Sequence, residues 1–281
     1  MASRRRRVSV ESPSSEFIKT RYRGGCYRPL ASNDCVRIID AAVDILEQVG
    51  LGDAPEWLSD RLLKNGAVRK ADGRLTFPRG KVEAAIERAA RKVILPGFDA
   101  NQGLEIGGGF VHIGTGGAAV QILDAKSGEY RDSTLDDLYR AMRVLECCEH
   151  VHYGVRLLVA RDMPSSFDLD INTAFACLKA TRKPIGVSFD NAGHVAPICR
   201  MFDLALQRDQ GFRKQPFCMA IVVHVVSPLR FAVEGVDIMR AAIDAGMPLQ
   251  ICTAAQAGAT SPASLAGALA QGLAESLAGL M

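Results

Sequence analysis

Long apolar runs are missing from this 281-residue sequence: no stretch approaches the ~18 consecutive apolar residues of a membrane-spanning helix. An integral helical membrane protein is therefore excluded. The arginine run Arg4–Arg7 leads into VSVESPSSEF, which lacks the apolar core of an export signal. Without such a signal, the eight cysteines read as reduced thiols of a cytoplasmic protein. Six of them (Cys35, Cys147, Cys177, Cys199, Cys218 and Cys252) fall within helix or strand patterns, where cysteine acts as a small apolar residue. No C-x-x-C pair occurs, so neither zinc nor any other metal site is expected. Charge of one sign is scarce too. The excess is only +3 and the basic residues are spread along the chain, which argues against a nucleic-acid partner. Neither glycine cluster, 107–109 or 114–117, is followed by G-K-[ST] or by a helix, so bends in a sheet explain them better than a phosphate cradle.

What is present suits a large soluble core: 48% hydrophobic and 23% charged residues. Residues 1–31 read as a basic tail and lead-in segment. From Ser32, Val36, Ile39, Val43, Leu46 and Val49 recur at helical spacing and Gly50 supplies a stop. Two more helices, about Pro55 to Asn65 and roughly Arg79 to Arg91, complete an N-terminal helical subdomain over 32–92. Residues 93–131 switch to short strands punctuated by glycine. From Ser133 strands and helices alternate: a helix to about Cys148, the strand HVHYGVRLLVA, a helix from near Asp168, the strand PIGVSF, a helix from about Asn191 to Gln207, the strand FCMAIVVHVV, and a helix from about Arg230 to Gly246. The strand after Pro248 follows, and Ser261 reads as the N-cap of a last helix with Pro262 in its first turn. Near-continuous apolar strands of this kind indicate a parallel sheet covered on both faces. With FVHIGTGG as the first strand, residues 93–281 are expected to form an α/β TIM (β/α)8 barrel truncated to about five β/α units, its C-terminal strands absent.

Four stretches in register carry a family resemblance: ASNDCVRIIDAAVDILEQVGL, GLEIGGGFVHIGTGGAAVQILDAKSGEYRDSTLDDLYRAMRVL, VARDMPSSFDLDINTAFACLKATRKPIGVSF and AAQAGATSPASLAGALAQGLAE. From about Gly24 to Met281 the chain resembles the first part of the trimethylamine methyltransferase family, the corrinoid-dependent enzymes of methylated and quaternary amines. The resemblance implies a cytoplasmic barrel, homo-oligomeric in full-length form, that moves a methyl group from a small amine to Co(I) cobalamin. That cobalamin is supplied by a partner corrinoid protein and not bound as a resident cofactor. The pyrrolysine of the trimethylamine branch belongs to a later stretch. The arginine-rich start followed by GGCYRPL looks more like bacterial members without that residue, for which glycine betaine is the expected type of substrate. An inactive remnant of such an enzyme is the alternative.

A methylated ammonium offers at most one hydrogen bond, so its pocket needs an aromatic face and low polarity. With 11 phenylalanines, five tyrosines and one tryptophan, position matters more than number. Phe189, at the end of the third barrel strand, and Tyr153, in the second, are the substrate-binding candidates; core packing is the plainer reading of both. Thr115 lies near the carboxyl end of the first strand. Arg161, just after the second, could hold a substrate carboxylate or form a loop ion pair with Asp162. Gln256, in the small-residue loop after the fifth strand, and His224, inside the fourth, are the catalytic candidates; a satisfied core histidine is the plainer reading of His224.

Overall fold

The computed structural model describes residues 22–281, and Arg4–Arg7 lie outside the described residues. The lead-in begins with β1 (Tyr22–Arg23). The helical spacing from Ser32 yields α1 (Ser32–Asp44), continued by a π-helical turn (Ile45–Val49) that ends at Gly50. Glycine is required there: φ is 70° and an added Cβ would meet the Leu75 carbonyl oxygen at 2.1 Å. Val43 and Leu46 of the predicted stripe are buried, whereas Val36 and Ile39 are exposed. α2 (Glu56–Lys64), the hairpin of β2 (Val68–Arg69) and β3 (Leu75–Thr76), and α3 (Arg79–Arg88) follow.

Three antiparallel pairs come next. β4 (Lys92–Leu95) pairs with β5 (Leu104–Gly107), β6 (Phe110–Val111) returns to β1, and β7 (Gln121–Leu123) pairs with β8 (Tyr130–Asp132). The stretch FVHIGTGG thus begins as an antiparallel partner of β1. Only further on does it run parallel to the next strand, through isolated bridges from Gly114 to Tyr153 and from Ala119 to Leu158.

The alternating part starts with α4 (Leu135–Cys147), opened by a capping box in which Thr134 Oγ1 accepts from the Asp137 N–H and Asp137 accepts from the Thr134 N–H. Then come β9 (Gly154–Val155), α5 (Ser166–Ala180) capped by Ser165, β10 (Ile185–Val187), a 3-10 turn (Ala192–His194) running into α6 (Val195–Ala205), and the short α7 (Gly211–Lys214). β11 (Cys218–Val223), the hairpin of β12 (Val225–Val226) and β13 (Arg230–Phe231), α8 (Val233–Ala245), β14 (Leu249–Cys252) and α9 (Leu265–Ala278) complete the chain. Four strands form one parallel sheet in the order β14-β11-β10-β9, with Ile185 opposite both Gly154 and Cys218, and Ala220 opposite Leu249. Several boundaries depart from expectation: Arg230, the expected start of the helix before Gly246, lies in β13, and FCMAIVVHVV breaks at His224. The run HVHYGVRLLVA shortens to Gly154–Val155, and the cap of the last helix is Ser264, whose Oγ accepts from Gly267 N–H, in place of Ser261. Ser261 belongs instead to a tight loop in which the Gln256 carbonyl accepts from the N–H groups of Ala259, Thr260 and Ser261.

Strand alternation divides the core. Ile185, Val187, Phe189, Cys218, Ala220 and Val222 face the helices, packing with Leu138, Cys177 and Phe202. Tyr153, Val155, Met219 and Ile221 face the other way, where Leu95 and Leu104 of the β4–β5 hairpin cover them near the amino end of the strands. Gly186 keeps this face small, since an added Cβ would sit 3.1 Å from both Val155 and Ile221. A second core joins the N-terminal helices to the last one: Ala42, Val43, Leu46 and Val82 pack with Ala274 and Ala278 of α9 and with Phe231 and Val236.

Candidate functional site

In open parallel sheets ligands collect outside the carboxyl ends of the strands, where loops of different units converge. Here that end is built by the segments after Val155, Val187, Val223 and Cys252. On the face away from the helices it is apolar: Val223, half-exposed, stands opposite Cys252 in the register.

The six residues singled out from sequence do not converge there. Phe189 continues the phase of Ile185 and Val187, so its ring is buried on the helix side as core and cannot line the open face. His224 likewise follows Cys218, Ala220 and Val222; it is 1% exposed and its Nε2 lies 2.8 Å from the Glu275 carbonyl oxygen of α9. Tyr153 is on the open face but at the amino end, packed over Gly114. Thr115 Oγ1 is committed to the β9 backbone, accepting from Val155 N–H at 2.9 Å. Arg161 does not pair with Asp162. It forms a surface ion pair with Asp132 at 3.2 Å, while Asp162 accepts from Leu135 N–H at the start of α4. Gln256 is exposed in the loop after β14, and its side-chain amide makes no hydrogen bond among the described residues. Of the six, Gln256 and Arg161 stand at the carboxyl side with accessible side chains.

A dyad that sequence reading missed lies at the same end. Asp170 of α5 is 1% exposed, and its Oδ2 accepts from His194 Nδ1 at 2.7 Å and from Asp190 N–H at 2.8 Å. Asp190 and His194 bracket the turn after β10, so one buried carboxylate ties α5 to that loop. The edge-to-face contact of Phe167 at 5.2 Å fixes the imidazole from its other side, and the side chain keeps 14% exposure. With Nδ1 donating to the carboxylate, Nε2 makes no hydrogen bond among the described residues. A signal existed: Asp170, Thr173, Ala174 and Cys177 share one helix face, so a carboxylate sits on an apolar stripe.

Two other polar clusters are structural. Glu275, fully buried, accepts from Ser227 Oγ at 2.7 Å, Gln271 Nε2 at 3.0 Å and Leu229 N–H at 3.1 Å, pinning α9 to the β12–β13 turn. At the amino end, Tyr22 hydroxyl meets His150 Nδ1 at 2.7 Å and Ile113 N–H donates to His152 Nδ1 at 2.9 Å. Burial pushes the His152 imidazole below its usual pKa, reinforced by repulsion from His112, Lys183 and His150. No helix among the described residues is long and apolar enough to cross a membrane.

These features define a mixed α/β protein with a parallel sheet whose loops gather a polar dyad beside an apolar strand end. The chain belongs to the trimethylamine methyltransferase (MTTB) family, whose model matches residues 1–281. It is 23% identical to a trimethylamine methyltransferase of Desulfitobacterium hafniense over 235 residues, 82% of this chain and 46% of the relative. A trimethylamine methyltransferase of Methanosarcina mazei is 24% identical over 250 residues, 85% of this chain and 49% of the relative. A glycine betaine methyltransferase of Desulfitobacterium hafniense is 22% identical over 256 residues, 90% of this chain and 52% of the relative. The chain spans about half the length of the curated relatives it matches.

Proposed function

We propose that this chain is the first part of a cytoplasmic (β/α)8-barrel methyltransferase that takes a methyl group from a methylated or quaternary amine, of the trimethylamine or glycine betaine type. The acceptor in this reading is Co(I) cobalamin on a separate corrinoid protein. The family match over the whole chain carries the proposal. Consistent with it are four parallel strands in sequential order and an apolar strand end suited to a donor with little to hydrogen-bond. Cobalamin supplies the nucleophile, and the amine leaves with its nitrogen becoming neutral. What the chain itself has to do is hold, align and desolvate the methyl donor. Gln256 brings an amide dipole and Arg161 a cation for a carboxylate such as that of a betaine. The Asp170–His194 dyad fixes the loop between them. Exposed Leu265 and Leu269 on α9 suit burial in a homo-oligomer of the full-length form.

The test is methyl transfer itself. The chain is mixed with a corrinoid protein reduced to Co(I), and methylcobalamin formation is followed by absorbance with trimethylamine or glycine betaine as donor. Donor-dependent methylation supports the reading. No methylation with either donor, under conditions where a related full-length enzyme works, favours an inactive remnant.

A further inference from the structure

Three of the five histidines gather at the amino end of the parallel strands. The rings of His112 and His152 lie edge to face at 5.5 Å, and Tyr22 of β1 stands 6.0 Å from His150 and 6.1 Å from His152. The three differ in what a second proton does to them. The Tyr22 hydroxyl, 2.7 Å from His150 Nδ1, can donate or accept, so that bond survives in either charge state. His112 Nε2 faces the Glu105 carbonyl oxygen at 2.8 Å and therefore carries a proton; another added at Nδ1 leaves the bond in place. His152 behaves otherwise. Its Nδ1 lies 2.9 Å from the Ile113 N–H, which can only donate, so Nδ1 holds a lone pair and Nε2 the proton. Nε2 is buried without a partner among the described residues, so the ring is docked through Nδ1 alone. A proton on Nδ1 would set two N–H groups against each other. His112, His150 and the Lys183 ammonium each disfavour a positive charge at this ring. The Glu105 carboxylate pairs with Lys92, and Glu149, next to His150 in the chain, is exposed.

We propose that His152 is an acid-sensitive latch: protonation of its Nδ1 undocks residues 110–113 from the segment leading into β9, and β1 leaves with them. The link it controls is two-way, since the His152 N–H also donates to the Ile113 carbonyl at 2.7 Å. β1 depends on the same segment. Among the described residues it pairs with β6 alone, Tyr22 opposite Val111, and Gly24 N–H donates to the Gly109 carbonyl at 3.0 Å. Further along, the contact rests on bonds without an imidazole: Thr115 Oγ1 accepts from Val155 N–H at 2.9 Å, and Ala118 N–H donates to the Arg156 carbonyl at 3.0 Å. The opening therefore stops short of Thr115. An undocked His152 takes up its proton from its ordinary 6.5 downward, while burial holds the docked ring lower. Between those two values opening gains about tenfold per pH unit, the effect of one proton. The latch belongs to the fold and does not depend on methyl transfer.

The experiment is amide hydrogen exchange on the 281-residue chain, with protection taken relative to the unstructured rate at each pH. The Ile113 and Gly24 amides are expected to lose about tenfold in protection from pH 6.5 to roughly pH 5.5. They should exchange faster than Gly154, whose N–H donates to the Pro184 carbonyl at 3.0 Å, and at a rate that low urea does not change, as a local opening requires. His152→Asn keeps an acceptor at the δ position that takes no proton, so Ile113 should lose its pH dependence there. Constant Ile113 protection across this range, protection equal to that of Gly154 throughout, or the parent's pH dependence persisting in His152→Asn overturns the proposal. Should the asparagine variant not fold, the imidazole 15N titration of the parent decides. A His152 midpoint below 6.5, with the Nε2–H tautomer above it, supports the latch; a midpoint at or above 6.5 overturns it.

Discussion

Asp170 Oδ2 lies 2.7 Å from His194 Nδ1 and 2.8 Å from the Asp190 backbone N–H, so one buried oxygen serves two donors on the loop after β10. Removing it strands both. Asp170→Ala should therefore cost about 2–3 kcal/mol of stability, the scale of unsatisfied buried donors. Asp170→Asn retains an accepting oxygen and should cost less than half as much. Urea unfolding of the two variants checks this, and an alanine variant within ~0.5 kcal/mol of the parent would refute it.

Lys183 is a buried cation with a structural task. Its Nζ donates to the carbonyls of Leu145 at 2.9 Å, Cys148 at 2.7 Å and Val151 at 2.8 Å, gathering the end of α4 and the turn after it onto one cation. Burial lowers its pKa, opposed by Glu146. Lys183→Met preserves the apolar stem but leaves the Val151 carbonyl without its donor and the Leu145 and Cys148 carbonyls with one backbone N–H each. A loss of about 2–4 kcal/mol is expected, read by denaturant midpoint. Hydrogen exchange should localise the damage to 145–151.

Stability should fall on mild acidification. His152 and His224 both titrate below their usual 6.5 because burial disfavours the charged ring. As pH drops below 6.5, the unfolded chain takes up these protons before the folded one, so stability is lost from there down to each lowered folded value. Asp137 works in a lower window. Its hydrogen bonds to Arg131, at 2.6 and 2.8 Å, hold its carboxyl well below its ordinary 3.8, and that contribution disappears only as pH falls from 3.8 toward the lowered value. Unfolding midpoints between about pH 7.5 and pH 5 should fall for the parent and fall less for His152→Gln/His224→Gln. Equal slopes would contradict the assignment.

Thiol chemistry offers a direct check on the layering. Cys177 is buried between α5 and the sheet, and burial pushes its thiol up to about 12; the same cause raises Cys218 well above its ordinary 9.0. Cys26, Cys35 and Cys147 are exposed. Brief alkylation of the native chain should label those three and spare Cys177 and Cys218. Rapid labelling of Cys177 in folded protein would be incompatible with this packing.

Much of the fold was legible because it depends on local chemistry. The stop at Gly50 and the left-handed cap at Gly246 each follow from a residue type that only one local geometry suits. The parallel pairing of 185–187 with 218–220 follows from apolar runs separated by helices. The side-chain phase of those strands was not legible. When both faces of a strand are buried, alternation leaves no polar mark, so nothing distinguishes Phe189 facing the helices from Phe189 facing a ligand. The two readings of His224, core and catalytic, could not be separated for the same reason, and the core one fits its burial: its partner is a carbonyl 51 residues later, on a helix whose packing against α1 no local pattern records. The Asp170–His194 pair, 24 residues apart, left the trace noted on α5, but its partner on the loop had none.

That phase difference separates two substitutions sharply. Phe189 is core: removing its ring opens a cavity beside Val187 and the α5–α6 layer, and Phe189→Ala should cost about 3–4 kcal/mol. Any loss of methyl transfer in that variant should follow the fraction unfolded and return on cooling or in a stabilising osmolyte. Gln256 is the reverse case. Its backbone organises the 256–261 loop, while its exposed amide contributes nothing to packing. Gln256→Ala should leave the unfolding midpoint within ~0.5 kcal/mol of the parent. If the amide dipole faces the methylated ammonium, the same change should lower the rate of cobalamin methylation at saturating corrinoid protein, by roughly three- to tenfold for the loss of one polar contact. Stability and rate measured on both variants resolve the roles. An active Gln256→Ala removes the amide from the site, and a stable but inactive Phe189→Ala would return the phenylalanine to it.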